Sequence, residues 1–513
     1  MSKIRIYLVL MTIFTAFLSA QTPGYFKDIF CDGGAHLTSM TNLPAANELG
    51  LLVEYLYTSS YDVQNGVMIA DDIDSNGHLL YPDGAPRFRM IYTNGGTATN
   101  HGNSLGETGR ERVRTFFANG GSYSGSCAGA FIASNHWDET GTNPAYYHIW
   151  PGRASETGLT DAYTGHIIPD GSRLLNYFDF GGDFYIDNVR HNGGCYANEQ
   201  IDYPPGTEVL LRYDYPGWDM HEMASTWAYK PRGTSGLNAG RVVVTGSHPE
   251  AVDTGERLDM MKAILLYALD GAGIPQVKGE LTNGEMRSMD LYAEDSLPEF
   301  TRIGDKQYHH FTFLAPPEAD SLTIELAGEV GFDFKLYANP GDFAFENTAL
   351  FASSGEGSEH VLQLPADESA LWYIGVECVS TVDALNYIYY GGTEVLNGVA
   401  YDITATGETV VVGVADLPDS PSGYMLYPNY PNPFNPTTTI QYRLPEAGSV
   451  QFLILNVLGQ EIIKLQNEVQ PPGNHEVQWN GLDQAGNPVD TGVYFARLEA
   501  GIYSETIKMV YLK

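Results

Sequence analysis

The stretch FFANGGSYSGSCAGAFIASN, Phe116 to Asn135, decides how the first half of the chain is read. One cysteine, Cys127, stands among small residues in a chain that has only three others. Upstream, Val113, Phe116 and Phe117 are spaced to form one apolar helical face. Thr108 and Glu111 have the spacing of a capping box ahead of that face, and Gly120 and Gly121 supply a stop. A short strand, Ser122 to Ser124, then runs into the cysteine. A nucleophile on a sharp strand-to-helix turn needs small neighbours, because strained backbone angles and a close substrate leave no room for side chains. Gly125-Ser126-Cys127-Ala128-Gly129 meets that requirement. A helix starting there turns its N-terminal amides towards the sulfur, which favours a thiolate and offers an oxyanion donor. Alone, the pentapeptide fits a small buried cysteine in a tight turn equally well.

Outward from this turn, residues 22 to about 275 alternate short apolar strands with helical patterns, the signature of an α/β domain with a mostly parallel sheet. RFRMIYTNGG, Arg87 to Gly96, is a strand ending in a glycine turn. GRVVVTG is a buried strand, and Leu258, Met261, Leu265 and Leu269 form the buried stripe of a closing helix stopped by Gly271. VVVTGSHPE places His248 directly after the buried strand, with Glu250 two residues on. A cysteine nucleophile requires a base, and the base requires an orienting acid. Both motifs come directly after strands of one sheet, at the edge where such folds bind ligands.

The combination of a G-x-C-x-G elbow with H-x-E resembles the class I glutamine amidotransferase superfamily. GGSYSGSCAGAF, WPGRASETG, VRHNGGCY, TEVLLRYDYPG and GRVVVTGSHPE resemble its biotin-protein-ligase N-terminal-like branch, across most of residues 25–270. The resemblance implies a flavodoxin-like fold over 21–278, with Cys127 as nucleophile, His248 as base and Glu250 as its orienter. It also implies oxyanion donors at the amide of Ala128 and at Gly95 or Gly96, and a substrate-side loop at Asn192, Gly193 and Gly194. No phosphate-binding loop, synthase domain or ATP-site motif accompanies it, so ammonia channelling to a synthase is not expected. The expected activity is hydrolysis of an amide or peptide bond through a thioester, with no cofactor and no metal. The alternative from another class is an extracellular peptide- or glycan-binding protein that keeps the shape without turnover.

Beside the triad stand other candidate residues. Tyr146 to Trp150, Trp218 and Trp227 are candidates for an aromatic substrate pocket, with core packing the commoner fate of such side chains. HEMAS, His221 to Ser225, lacks the second histidine of a zinc-protease helix and reads as a surface segment.

The whole chain frames this chemistry. At 513 residues it exceeds one hydrophobic core, and its formal net charge of −36 repels nucleic acid and anionic lipid. Residues 1–20 carry Lys3 and Arg5, an apolar stretch and small residues ending at Ala20, the pattern of a secretory signal peptide. No later stretch reaches the roughly 18 consecutive apolar residues of a membrane span. Cys31 with Cys195 is a candidate disulfide, leaving Cys127 as a thiol with another purpose.

After the α/β domain, short alternating strands over 279–405 predict a β-sandwich or jelly roll. FDFKLYANPGD and LWYIGVE there resemble the bacterial pre-peptidase C-terminal domain, in which Asp333 and Asp342 read as exposed turn carboxylates rather than calcium ligands. A linker spans 406–424 and includes LPDSPSG. Residues 425–513, with YPNYPNPFNPTTTIQYRLP, NVLGQEI, WNGLDQAGNPVDTGVYFARL and KMVYLK, predict a small Ig-like β-sandwich that closely resembles the type IX secretion sorting domain. That resemblance implies the type IX secretion machinery as partner, and release or surface attachment as destination.

Overall fold

The computed structural model describes residues 24–511, apart from the segments 32–42, 56–78, 137–140, 232–238, 274–275, 366–370, 409–423 and 431–433 and the positions 293, 294, 296, 318, 386, 387, 392, 428, 430, 446, 458 and 502. The expected signal peptide and the LPDSPSG linker lie outside the described residues. The chain forms two compact units, residues 1–408 and 409–513.

The first unit is built on an eleven-stranded sheet. Its strands are β1 Lys27–Cys31, β2 Val53–Tyr55, β3 Phe88–Thr93, β4 Ser122–Ser126, β5 Ala154–Glu156, β6 Ala162–Ile167, β7 Tyr185–His191, β8 Cys195–Ala197, β9 Glu208–Asp214, β10 Ala224–Tyr229 and β11 Val242–Thr245. The helices are α1 Pro44–Glu48, α2 Ala98–Ser104, α3 Gly106–Ala118, α4 Ala128–Ala133 and α5 Glu256–Leu269. Along the sheet the order is β2-β1-β3-β4-β11-β10-β9-β6-β7, with β8 paired to β10 and β5 to β8. Strands β2, β1, β3, β4 and β11 are parallel neighbours, whereas every pairing from β11 onward is antiparallel.

The sheet is therefore mixed, not mostly parallel. Parallel neighbours need long crossovers, and the segment between Ala154 and Tyr229 instead links short strands through turns and 3₁₀ turns, which permits only antiparallel returns. In the parallel half, side chains alternate between two apolar layers. Phe30, Val242 and Val244 join Val113, Phe116 and Ile132 on one face. Ile29, Cys31 and Val243 join Leu258, Met261 and Leu265 on the other. Burial on both faces explains the unbroken VVV run of β11.

The helical stripes Val113/Phe116/Phe117 and Leu258/Met261/Leu265/Leu269 are buried as their spacing predicts. The capping box is a correction. Helix α3 follows α2 almost without a break and its N-cap is Leu105, with no side-chain cap. Thr108 and Glu111 lie inside it, and Glu107 and Glu111 instead pair with Arg114. The disulfide is a second correction: Cys31 and Cys195 are not joined to each other. Cys31 ends β1 and Cys195 begins β8, five strand steps apart in the sheet, roughly 24 Å at about 4.8 Å per step.

Residues 277–408 form a mostly antiparallel sandwich, with Val277–Glu280 as a parallel edge strand beside Tyr308–Leu314. A five-stranded sheet includes Tyr308–Leu314, Phe334–Pro340 and Leu371–Cys378, and a four-stranded sheet includes Ser321–Gly328, Glu359–Pro365 and Tyr401–Glu408. Phe311, Phe313, Ile324, Leu336, Ile374 and Ile403 fill the space between them. Buried charge joins it to the α/β domain: Arg87 Nη2 lies 2.8 Å from Asp305 Oδ2, both fully enclosed, and Lys278 pairs with buried Asp83. Asp83 would be raised by burial, but Lys278 and His309 outweigh that and hold it down at about 2.

The second unit carries a three-stranded sheet and a four-stranded antiparallel sheet, with Ile440, Tyr442, Phe452, Ile454, Trp479 and Leu498 between them.

Candidate active site

Strands β4 and β11 are parallel and in register, with Ser126 opposite Thr245. The residues after each strand therefore emerge at the same sheet edge: Cys127 from one, and Gly246-Ser247-His248 from the other. The Cys127 N–H donates to Thr245 O at 2.9 Å, tying the elbow to the strand that delivers the histidine. Cys127 has φ 49° and ψ −105°, outside the wells open to an ordinary L-residue. Strain of this kind costs of order 1–3 kcal/mol, and it clusters where function demands it.

The glycines of the elbow are required by contact. A Cβ on Gly125 would stand 2.7 Å from Gly129 C, and one on Gly129 would stand 2.0 Å from Thr93 O. The turn can form only because strand and helix approach with no side chain between them. Helix α4 is six residues long and begins at Ala128, whose N–H, like every N–H of a first helical turn, has no partner within the helix. Gly95 and Gly96, after β3, share a small cleft with Ala128, Asn100 and His101.

His248 Nδ1 lies 2.8 Å from Glu250 Oε1. The backbone N–H of His248 donates to Arg190 O at 2.9 Å, and a Cβ on Gly95 would stand 2.4 Å from ring carbon Cε1. The ring is thus held between a carboxylate and bare backbone. Nε2, on its other side, is buried and meets no hydrogen-bond geometry. Burial opposes charge on this imidazole, but the Cys127 side chain and Glu250 outweigh it and raise the group to about 10. Cys127 is therefore close enough to hold the ring's proton by hydrogen bonding as well as by charge, although the S···N pair falls short of strict hydrogen-bond geometry. The thiol itself points at Asn192 O, 4.0 Å away, and Cys127 is 6% exposed.

The structure brings Cys127, Ala128, Gly95, Gly96, Asn192, His248 and Glu250 to one edge. Gly193 and Gly194 lie beside them but are bound into the frame. Gly193 N donates to Leu159 O at 2.7 Å, Thr157 Oγ1 donates to Gly193 O at 3.1 Å, and a Cβ on Gly194 would stand 2.1 Å from Gly246 O. Of the aromatic candidates, Tyr146, Tyr147, Trp150 and Trp227 are core residues, with Trp150 and Trp227 packed at 5.0 Å, in the apolar layer that also holds Val113, Phe116 and Ile132. Trp218 stays 47% exposed. His221 of HEMAS is occupied locally, accepting the Tyr215 N–H at 3.1 Å.

Sequence reasoning missed the backbone supports, Thr245 O beneath the elbow and Arg190 O beneath His248. Neither has a side-chain signature. It also missed His191, which is fully buried behind Asn192.

Residues 434–502 match the FlgD Ig-like domain family, so the C-terminal domain is Ig-like. No curated protein matches the chain. Among solved structures it is similar to PorZ, an essential surface component of the type IX secretion system of Porphyromonas gingivalis, at 21% identity and a TM-score of 0.14 over 23% of this chain and 14% of that one. Latent PorU from the same bacterium is 14% identical, with a TM-score of 0.17 over 38% of this chain and 18% of that one. A β-glucuronidase of Faecalibacterium prausnitzii is 10% identical, with a TM-score of 0.14 over 40% and 36%. The chain thus spans well under half the length of each.

Proposed function

We propose that residues 21–278 are a cysteine hydrolase of an amide or peptide bond. The observation that carries this reading is the Glu250–His248 pair at 2.8 Å, set at the same sheet edge as a cysteine held at φ 49°. The order β2-β1-β3-β4-β11 of the parallel half agrees with a flavodoxin-like sheet of the class I amidotransferase kind.

In this mechanism the Cys127 thiolate attacks the carbonyl carbon, and the C=O electrons move onto oxygen, which the amides of Ala128 and Gly95 or Gly96 receive. His248, protonated and held by Glu250, gives its Nε2 proton to the departing amine nitrogen as the C–N bond breaks. Water then attacks the thioester while His248 takes its proton, and the C–S bond breaks to return the Cys127 thiolate beside the imidazolium. Asn192, Gly193 and Gly194 line the substrate side.

The C-terminal Ig-like domain is read as a type IX sorting domain on its motif residues, and on that reading the mature enzyme acts outside the cell, secreted or attached to the surface. The middle sandwich is read as pre-peptidase C-terminal-like. The rival, a binding protein without turnover, draws support from His248 Nε2 and Cys127 Sγ falling short of strict hydrogen-bond geometry. Wild type and Cys127→Ala, assayed on glutamine, peptide and cell-wall amide substrates, separate the two. Hydrolysis lost in the variant supports the enzyme; equal release from both, or none from either, supports the binder.

A further inference from the structure

Behind the triad lies a buried polar file that the mechanism does not use. His191 is fully buried, and its Nε2 lies 2.9 Å from Thr164 Oγ1. The same hydroxyl lies 3.2 Å from His166 Nε2, and His166 Nδ1 lies 3.0 Å from Ser225 Oγ. The two imidazoles stack with centroids 6.2 Å apart, and Tyr213 packs against both.

The residues on either side of His191 reach the triad. Arg190 O accepts the His248 N–H, and Asn192 O faces the Cys127 thiol at 4.0 Å. Gly194 is wedged against Gly246, two residues before His248. We propose that His191 is a positioning residue: Thr164 locks its ring at the end of this file, and the locked ring fixes the segment 190–194 against both His248 and Cys127.

A chemical constraint sharpens the proposal. A threonine hydroxyl has one proton and two lone pairs, so Thr164 can donate to at most one of the two Nε2 atoms, and when it does the other ring must donate to it. With both rings neutral and the hydroxyl proton spent within the file, His166 and His191 hold opposite tautomers. Burial keeps His166 well below the usual histidine range. Burial holds His191 down at about 4 against an opposing pull from the Gly193 backbone, with a lesser downward push from the charge on His248. The titratable groups facing His191 are His166, Tyr213 and His248, and a second cation in that space would oppose the imidazolium that the triad needs.

The inference rests on Cys127, His248 and Glu250 being a working triad, and the test keeps the two apart. The rate of Cys127 alkylation by iodoacetamide is measured against pH on the full chain, for wild type, His191→Phe, His191→Gln and Thr164→Val, with thermal unfolding recorded alongside. A fast wild type, a loss of about tenfold with a displaced pH profile in His191→Phe, and substantial recovery in His191→Gln support the proposal. If wild type is fast and His191→Phe keeps both its rate and its profile, the proposal is overturned while the triad stands. A wild type as slow as free cysteine defeats the triad instead, and the proposal with it. Should His191→Phe fail to fold, Thr164→Val decides. It leaves His191 in place but removes the shared proton, so a wild-type rate and profile there overturn the positioning role.

Discussion

The ring of His248 packs against the bare backbone of Gly95, so closely that a Cβ there would stand 2.4 Å from Cε1. Gly95→Ala must push the imidazole aside, and displacements near 1 Å in such sites cost up to about a hundredfold. We expect Cys127 alkylation to slow by tenfold or more, with a small change in unfolding temperature. An unchanged rate would mean that the ring position is not set by this contact.

Gly129→Ala acts on the fold instead. Its Cβ would meet the Thr93 carbonyl at 2.0 Å, and backbone on both sides cannot give way cheaply. Overpacking of this kind costs about 1–3 kcal/mol. Chemical denaturation should show that loss, while the neighbouring Ala130→Gly should leave the elbow geometry intact.

The His248–Glu250 pair makes stability depend on pH in a stated direction. Folding raises His248 above its unfolded value of about 6.5, so its contribution is complete below that pH and is lost as pH rises through about 10. Glu250→Gln removes one of the groups that hold the proton. The stability advantage of wild type over this variant should therefore be large at pH 6 and shrink towards pH 10.5. A constant advantage across that range would show that the carboxylate does not act through the imidazolium.

Arg87 and Asp305 join the α/β domain to the sandwich at 2.8 Å, each about 1% exposed. Removing one partner leaves the other charge buried, at a cost of about 3–5 kcal/mol. Asp305→Ala should lower the unfolding temperature markedly, and Arg87→Met combined with Asp305→Leu should recover much of the loss. Asp83 adds acid sensitivity with the opposite sign to His248: its contribution is present above about pH 3.8 and is lost as pH falls through about 2.

The parts of this chain that could be read from residues alone are those with a local cause. The stripe of α5, the buried run of β11 and the small residues around Cys127 each report a constraint in neighbouring sequence. The Ig-like C-terminal domain was legible from its turn-punctuated strands, and its family match covers residues 434–502. The antiparallel half of the large sheet was not legible, because the partners of β5 to β10 are chosen by packing. The capping box failed because the helix starts at Gly106, ahead of Thr108, and Glu111 has an arginine partner, Arg114, one turn on. The disulfide failed because spacing along the chain carries no information about which strands of the sheet lie between two cysteines. The carbonyls of Thr245 and Arg190 that support the site have no signature at all, since every residue carries one.

The central claim is that Cys127 is a nucleophile served by His248. Its most direct test is the second-order rate of iodoacetamide labelling at Cys127, located by peptide mass spectrometry, in wild type and in His248→Ala. Labelling of wild type far faster than free cysteine near neutral pH is expected, with the excess lost in the variant. Labelling as sluggish as that of free cysteine, or equally fast in both proteins, would contradict it.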